Sequence, residues 1–151
     1  MTTPSLIQIT HRPLCGDADA MRLRQFLIDS YALMGREFNW ETRRWEGSYW
    51  CVTDSERADP SWGAHTHLWE TAAGEILGAA VPDGPGDLAL QIHPHHRALE
   101  DAILDWSEQH LARRSAAGQR SLIAWAFDWD TVRQARLAGR GYQPRPDRCF
   151  Q

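Results

Sequence analysis

The sequence predicts a mixed α/β protein in a single domain, residues 1–151, with a mostly antiparallel central sheet flanked by about four helices. Three observations carry that expectation. Apolar, alternating segments at 64–71, 75–81 and 87–94 are separated by short turn-rich stretches, which suits antiparallel neighbours. After residue 97 the pattern runs helix, strand, helix, which requires a parallel neighbour or a crossover. Finally, 151 residues that are 42% hydrophobic and 24% charged suffice for one core. A chain of that size buries about 70% of its unfolded surface without needing a disulfide or a metal.

The elements follow in order. SLIQIT, residues 5–10, alternates as a short strand and is stopped by Pro13. Asp17 offers a helix N-cap, and Leu23, Phe26, Leu27 and Met34 then recur at helical spacing until Gly35, which can close the helix in a left-handed cap. The stretch 38–50 predicts a second short helix. Its Trp40, Trp45 and Trp50 recur every five residues, a period that cannot place all three on one face. Residues 53–63 are polar and read as a loop. AHTHLWET and EILGAAV then form a candidate hairpin, and DLALQIHP another strand.

Residues 97–114 give the strongest helix. Leu99, Ala102, Ile103, Trp106 and Leu111 form its apolar stripe, Arg113 and Arg114 sit at its C-terminal end, and Gly118 breaks it. SLIAWAF, 121–127, reads as a strand, and DWDTVRQARLAG, 128–139, as a helix. YQPRPDRCFQ reads as a proline-interrupted edge strand.

Composition removes several function classes. All 16 basic residues are arginine, so Schiff-base, pyridoxal and Walker-type lysine chemistry are excluded. A formal net charge of −4 argues against a general nucleic-acid or anionic-membrane binder. Cys15, Cys51 and Cys149 form no CxxC pair, so they read as reduced thiols of a cytoplasmic protein. The opening residues lack the pattern of a secretory leader, and no apolar run nears the ~20 residues of a membrane span.

The element order, IHPHHRALEDAIL and WDTVRQARLAGRGY together resemble the GNAT superfamily of acyl-CoA-dependent N-acyltransferases. The likeness is clearest from Gly63 to Gln143 and only topological before it. In the family an aliphatic-x-Pro strand end leads through an Arg/Gln-x-x-Gly-x-Gly/Ala loop into a helix. Ile92, Pro94 and Arg97 match the strand end and the basic position, while Asp130 through Gly141 and Tyr142 resemble the later helix that closes on Gly-Phe. The resemblance implies acetyl-CoA as cofactor. The backbone around Ile92 would hold the acyl carbonyl, and the turn through Arg97, Ala98, Leu99 and Ala102 would meet the pyrophosphate at a helix N-terminus. Two departures stand out. Ala98 and Glu100 replace the expected glycines, with Ala102 an allowed substitute, and Glu100 and Asp101 set carboxylates where phosphate oxygens would lie. Leu137 stands where many members carry a tyrosine that protonates the leaving thiolate.

Other residues are candidates on their own chemistry. Glu70 or His93 could remove a proton from an attacking ammonium. Trp40, Arg43, Arg44 and Trp45 could clamp an anionic or planar acceptor, or simply pack and pair in solvent. His65, His67 and His93 could meet a metal only if their strands were neighbours, and no metal is expected.

Two functions remain open at this point. The first is a divergent acetyltransferase acting on an amine of a small molecule or peptide. The second is a non-catalytic GNAT-like binding domain, half of a tandem protein or a partner subunit, with a homodimer or a second such domain as its partner.

Overall fold

The computed structural model describes residues 7–58 and 65–145. Among them the chain is mixed α/β, with a five-stranded, mostly antiparallel sheet. Strand β1 (Ile9–Pro13) precedes the long helix α1 (Gly16–Met34) and the short α2 (Thr42–Trp50) and α3 (Asp54–Ala58). Strands β2 (His67–Thr71), β3 (Ile76–Pro82) and β4 (Asp87–Ile92) follow. A 3-10 turn at Arg97–Leu99 opens α4 (Glu100–His110). A small hairpin, β5 (Arg113–Arg114) and β6 (Arg120–Ser121), leads into β7 (Ile123–Ala124) and then α5 (Thr131–Gly139).

The spatial order is β1-β2-β3-β4-β7, antiparallel except for the parallel β4–β7 pair. Alternation along the strands sorts side chains to two faces. Leu68, Ala79, Val81 and Ala89 pack on α1 and α2 with Leu23, Leu27 and Trp45. Trp69, Ala80, Leu88, Leu90 and Ile92 face Ile103, Leu104 and Leu137 of α4 and α5. Each fully buried Leu, Ile or Val among them contributes about 1.5–3 kcal/mol.

Several local expectations are corrected. The α1 N-cap is Cys15, not Asp17, and its N–H donates to the Asp19 carboxylate at 2.8 Å. Gly35 does end α1 at φ 65°, its N–H donating to the Tyr31 carbonyl. Trp40 precedes α2, so helical periodicity does not govern it, and all three tryptophans reach one core: Trp45 from within, Trp40 and Trp50 from its rim. Residues 54–58 are helical rather than loop, with Thr53 exchanging hydrogen bonds with Glu56 at the helix start.

Helix α4 stops at His110, and Arg113 and Arg114 turn instead into the hairpin that Gly118 closes. Its buried face carries Glu100, Ile103, Leu104 and Ser107, while Ala102 faces solvent. Of the strand expected at 121–127, only Ile123 and Ala124 pair with β4. Residues 142–145 are not a strand, and the rest of that segment lies outside the described residues, as does Cys149. Cys15 and Cys51 are free, exposed thiols. No helix among the described residues is long and apolar enough to cross a membrane.

Candidate functional site

Strands β4 and β7 are joined only at their beginnings, Asp87 opposite Ile123 and Leu88 opposite Ala124. The last bond between them runs from the Trp125 N–H to the Leu88 carbonyl at 3.3 Å. Beyond it the two strands part, and the chain after Trp125 leaves the sheet. A cleft of about 1240 Å³ opens there. Its walls include Leu90 and Gln91 of β4, the run from Arg120 to Asp128, Leu137 of α5 and the segment Gly141–Arg145.

The chain's own segment 38–40 reaches into the angle between the strands. The Asn39 carboxamide donates to the Ile92 carbonyl at 2.9 Å and accepts from the Ile92 N–H at 2.8 Å. One residue on, the Trp40 N–H donates to Gln91 Oε1 at 2.8 Å. Phe38, only 2% exposed, packs with Leu90 and Ile92 and lies 6.0 Å from the ring of Trp129. Both backbone groups of Ile92, the position that the resemblance assigns to an acyl carbonyl, therefore have partners already.

The turn after β4 is likewise satisfied from within. The His95 N–H donates to His93 Nδ1 at 3.1 Å, that of His96 to the His93 carbonyl, that of Leu99 to the His96 carbonyl, and that of Glu100 to the Arg97 carbonyl. Arg97 is bound on two sides: Nε donates to Glu100 at 2.6 Å, and one terminal nitrogen straddles both oxygens of Asp130 at 2.9 and 3.0 Å. Its guanidinium lies 4.9 Å from the centre of the Phe38 ring. Ala98 and Ala102 are exposed, and Leu99 is half-buried.

Glu100 is fully buried, and its carboxylate is shared by Arg97, Arg133 at 3.1 Å and Arg136 at 2.8 Å. Burial pushes its carboxyl up, but the Arg133 and Arg97 guanidiniums outweigh that and hold it below the ordinary range. The carboxylate thus points into the protein. The expectation that it opposes a bound pyrophosphate is corrected to a role in an internal ion network. Asp101 is exposed and paired with Arg136 and Arg140 at 3.2 and 3.4 Å.

The two candidate bases lie apart from the cleft walls. Glu70 sits on β2, on the α1 side of the sheet, where Arg12 and Arg22 each hold one oxygen at 2.7 Å. Asp19 completes that group. Its hydrogen bond from Arg12 leads over the cost of burial and, with Cys15 and Arg22, lowers its carboxyl to about 2. His93 follows β4 in a trio with His95 and His96, ring centres 5.4 and 5.0 Å apart, and burial with both neighbours lowers its imidazole. No group of three or more among the described residues has the geometry to hold a metal ion.

The four acceptor-side candidates divide. Trp40 and Arg44 line the cleft and stack on each other at 4.7 Å, with Arg44 also paired to Asp83. Trp45 is in the core, its indole N–H on the Ala20 carbonyl at 3.0 Å, and Arg43 is exposed. Leu137 offers nothing to protonate a leaving group. The Tyr142 hydroxyl donates to Glu108 at 3.1 Å, and burial with that carboxylate pushes its own proton affinity well up.

No family model matches the chain, and no curated protein sequence matches it.

Proposed function

We propose that this chain is a non-catalytic binding domain built on a GNAT-like layout whose acyl-CoA route has closed on itself. The observation that carries the reading is the Asn39 carboxamide seated on both backbone groups of Ile92. A thioester carbonyl needs the Ile92 N–H as a donor, and buried donors are costly to strip of one partner before another arrives. Two further observations agree with it. The turn's N–H groups at His95, His96, Leu99 and Glu100 are spent within the turn, so few remain to cradle phosphate. Arg97, the one cation at the matching position, is committed to Glu100 and Asp130.

A second reading, acetyl transfer from acetyl-CoA to an amine of a small molecule or peptide, draws on one observation, the parting of β4 and β7 around an open cleft. It requires the 38–40 segment to swing out before cofactor enters, and it still lacks a group to protonate the departing thiolate.

Isothermal titration with acetyl-CoA and with CoA decides between the two. No heat at millimolar ligand, with no thiol released in the presence of an amine panel, is the expected result. Micromolar binding with thiol release overturns the binding-domain reading.

A further inference from the structure

We propose that the outer edge of β7, with the basic β5–β6 hairpin beside it, is a docking surface for an extended acidic peptide that joins the sheet as an added strand. The inference rests on the binding-domain reading and supplies its partner.

Backbone geometry gives the first half. The N–H groups of Ile123 and Trp125 both turn inward, to the Gly86 and Leu88 carbonyls at 2.8 and 3.3 Å. Successive residues of a strand alternate, so the N–H and C=O of Ala124 face outward. The sheet ends at β7, and among the described residues no strand covers that side. An uncovered edge is a template for another chain. Leu122, Ala124 and Ala126 of this segment are only partly buried against the α4–α5 core, so apolar side chains lie beside that edge.

Charge selects the guest. From Gln109 to Phe127 the sequence has no acidic residue, yet it carries Arg113, Arg114 and Arg120. None of the three forms an ion pair among the described residues, whereas Arg12, Arg22, Arg97, Arg133, Arg136 and Arg140 all sit against carboxylates. The stem of Arg113 lies against Gly86, whose carbonyl takes the Ile123 N–H. Arg120 lines the cleft and donates to the Glu108 carbonyl. Both therefore stand at the beginning of the open edge, forming a basic patch on a chain of net charge −4. A second copy pairing edge to edge across a two-fold axis would run antiparallel and set the basic start of one edge against the far end of the other, near Asp128, so self-association is the competing outcome of the test. An acidic strand meets both demands.

The test uses eight-residue fluorescent peptides in which apolar residues alternate with acidic, neutral or basic ones, read by anisotropy against the full chain. The acidic series binds, the basic series does not, and raised salt weakens binding. Two changes each weaken it at least tenfold: the triple variant R113E/R114E/R120E, and an acidic peptide N-methylated at alternate positions, which keeps its charge but cannot pair. Hydrogen exchange of the Ala124 amide slows in the complex. Equal binding of basic peptides, undiminished binding of the N-methylated one, concentration-dependent self-association that protects Ala124, or no binding at millimolar peptide each overturns the proposal. A chain that ignores both peptide and acetyl-CoA loses this inference alone. One that binds acetyl-CoA and releases thiol loses the reading beneath it.

Discussion

The Asn39 side chain completes a ring of two hydrogen bonds with the backbone of Ile92, donating at 2.9 Å and accepting at 2.8 Å across 53 residues of sequence. A primary amide is suited to that position because it carries one donor and one acceptor side by side, matching a strand's C=O and N–H. Ile92 is fully buried, so neither of its backbone groups can turn to water instead.

Removing that amide should therefore cost more than an average hydrogen bond. Asn39→Ala leaves a buried donor and a buried acceptor unpaired, about 2–4 kcal/mol together. Asn39→Asp keeps an acceptor for the Ile92 N–H but sets a carboxylate against the Ile92 carbonyl, so it should be at least as damaging. Urea unfolding of both variants measures this. A loss under about 0.5 kcal/mol for Asn39→Ala would mean that solvent or a neighbour replaces the amide readily.

Glu100 makes the matching prediction for the other end of the turn. Its carboxylate is the shared acceptor of Arg97, Arg133 and Arg136, and breaking one side of a buried ion network costs about 3–5 kcal/mol. Glu100→Gln should fall in that range, whereas Glu100→Met paired with Arg133→Met should lose less than the sum of the two single changes. Its folded-state carboxyl lies below the ordinary 4.5 of a glutamate, so the stabilisation is present above that pH and fades as acid protonates it. Glu100→Gln should therefore flatten the acid limb of a stability–pH curve, and parallel curves for variant and wild type would refute the assignment.

Part of this arrangement is legible in the sequence. The run 64–94 announces its strands because its alternation and its glycine turns agree, and Gly35 marks the end of α1 for a local reason, a left-handed cap. The Arg97–Glu100 pair is local too, at i,i+3. What the sequence hides is long-range. Asp130 and Arg133 lie 33 residues from their partners, and nothing in the composition of FNWE marks Asn39 as the residue that seats itself on β4. Residues 121–127 look like a full strand because their side chains suit one. Only Ile123 and Ala124 pair, because β4 and the chain after Trp125 part around the 38–40 segment. Arg113 and Arg114 suit a helix end by charge, yet the hairpin closed at Gly118 claims them.

Gly78 of β3 sets the distance between the sheet and α4. A methyl group there would stand 2.7 Å from Ile103 Cδ1 and 3.2 Å from the Gln91 carbonyl oxygen. Gly78→Ala should cost about 1–3 kcal/mol by overpacking. Ile103→Val removes the offending carbon, so the double variant should be less destabilised than the sum of the two single changes. Strict additivity in chemical denaturation would show that the strain lies against the backbone instead.

His67 provides a prediction in pH. Its ring is stacked 4.2 Å from Trp106 and is 2.9 Å from His11 through Nε2, while its Nδ1 is buried with no hydrogen-bond partner among the described residues. Trp106 is stacked in turn on His110 at 4.5 Å. Burial, with His11 and His110 facing it, lowers the His67 imidazole from 6.5 to about 4. A base whose folded-state value is depressed binds its proton more readily when unfolded, so the fold is penalised as pH falls from 6.5 toward 4. The loss approaches about 3 kcal/mol at the acid end, since each unit is worth about 1.4 kcal/mol. His67→Phe keeps an aromatic face on Trp106 but cannot titrate, and it should remove most of the decline between pH 6.5 and 4 while leaving the steeper fall below pH 4 that belongs to Asp19 and Glu100. Denaturation midpoints at half-unit pH steps resolve the two windows. If His67→Phe and wild type lose stability in parallel across the upper window, the proton is being taken up elsewhere.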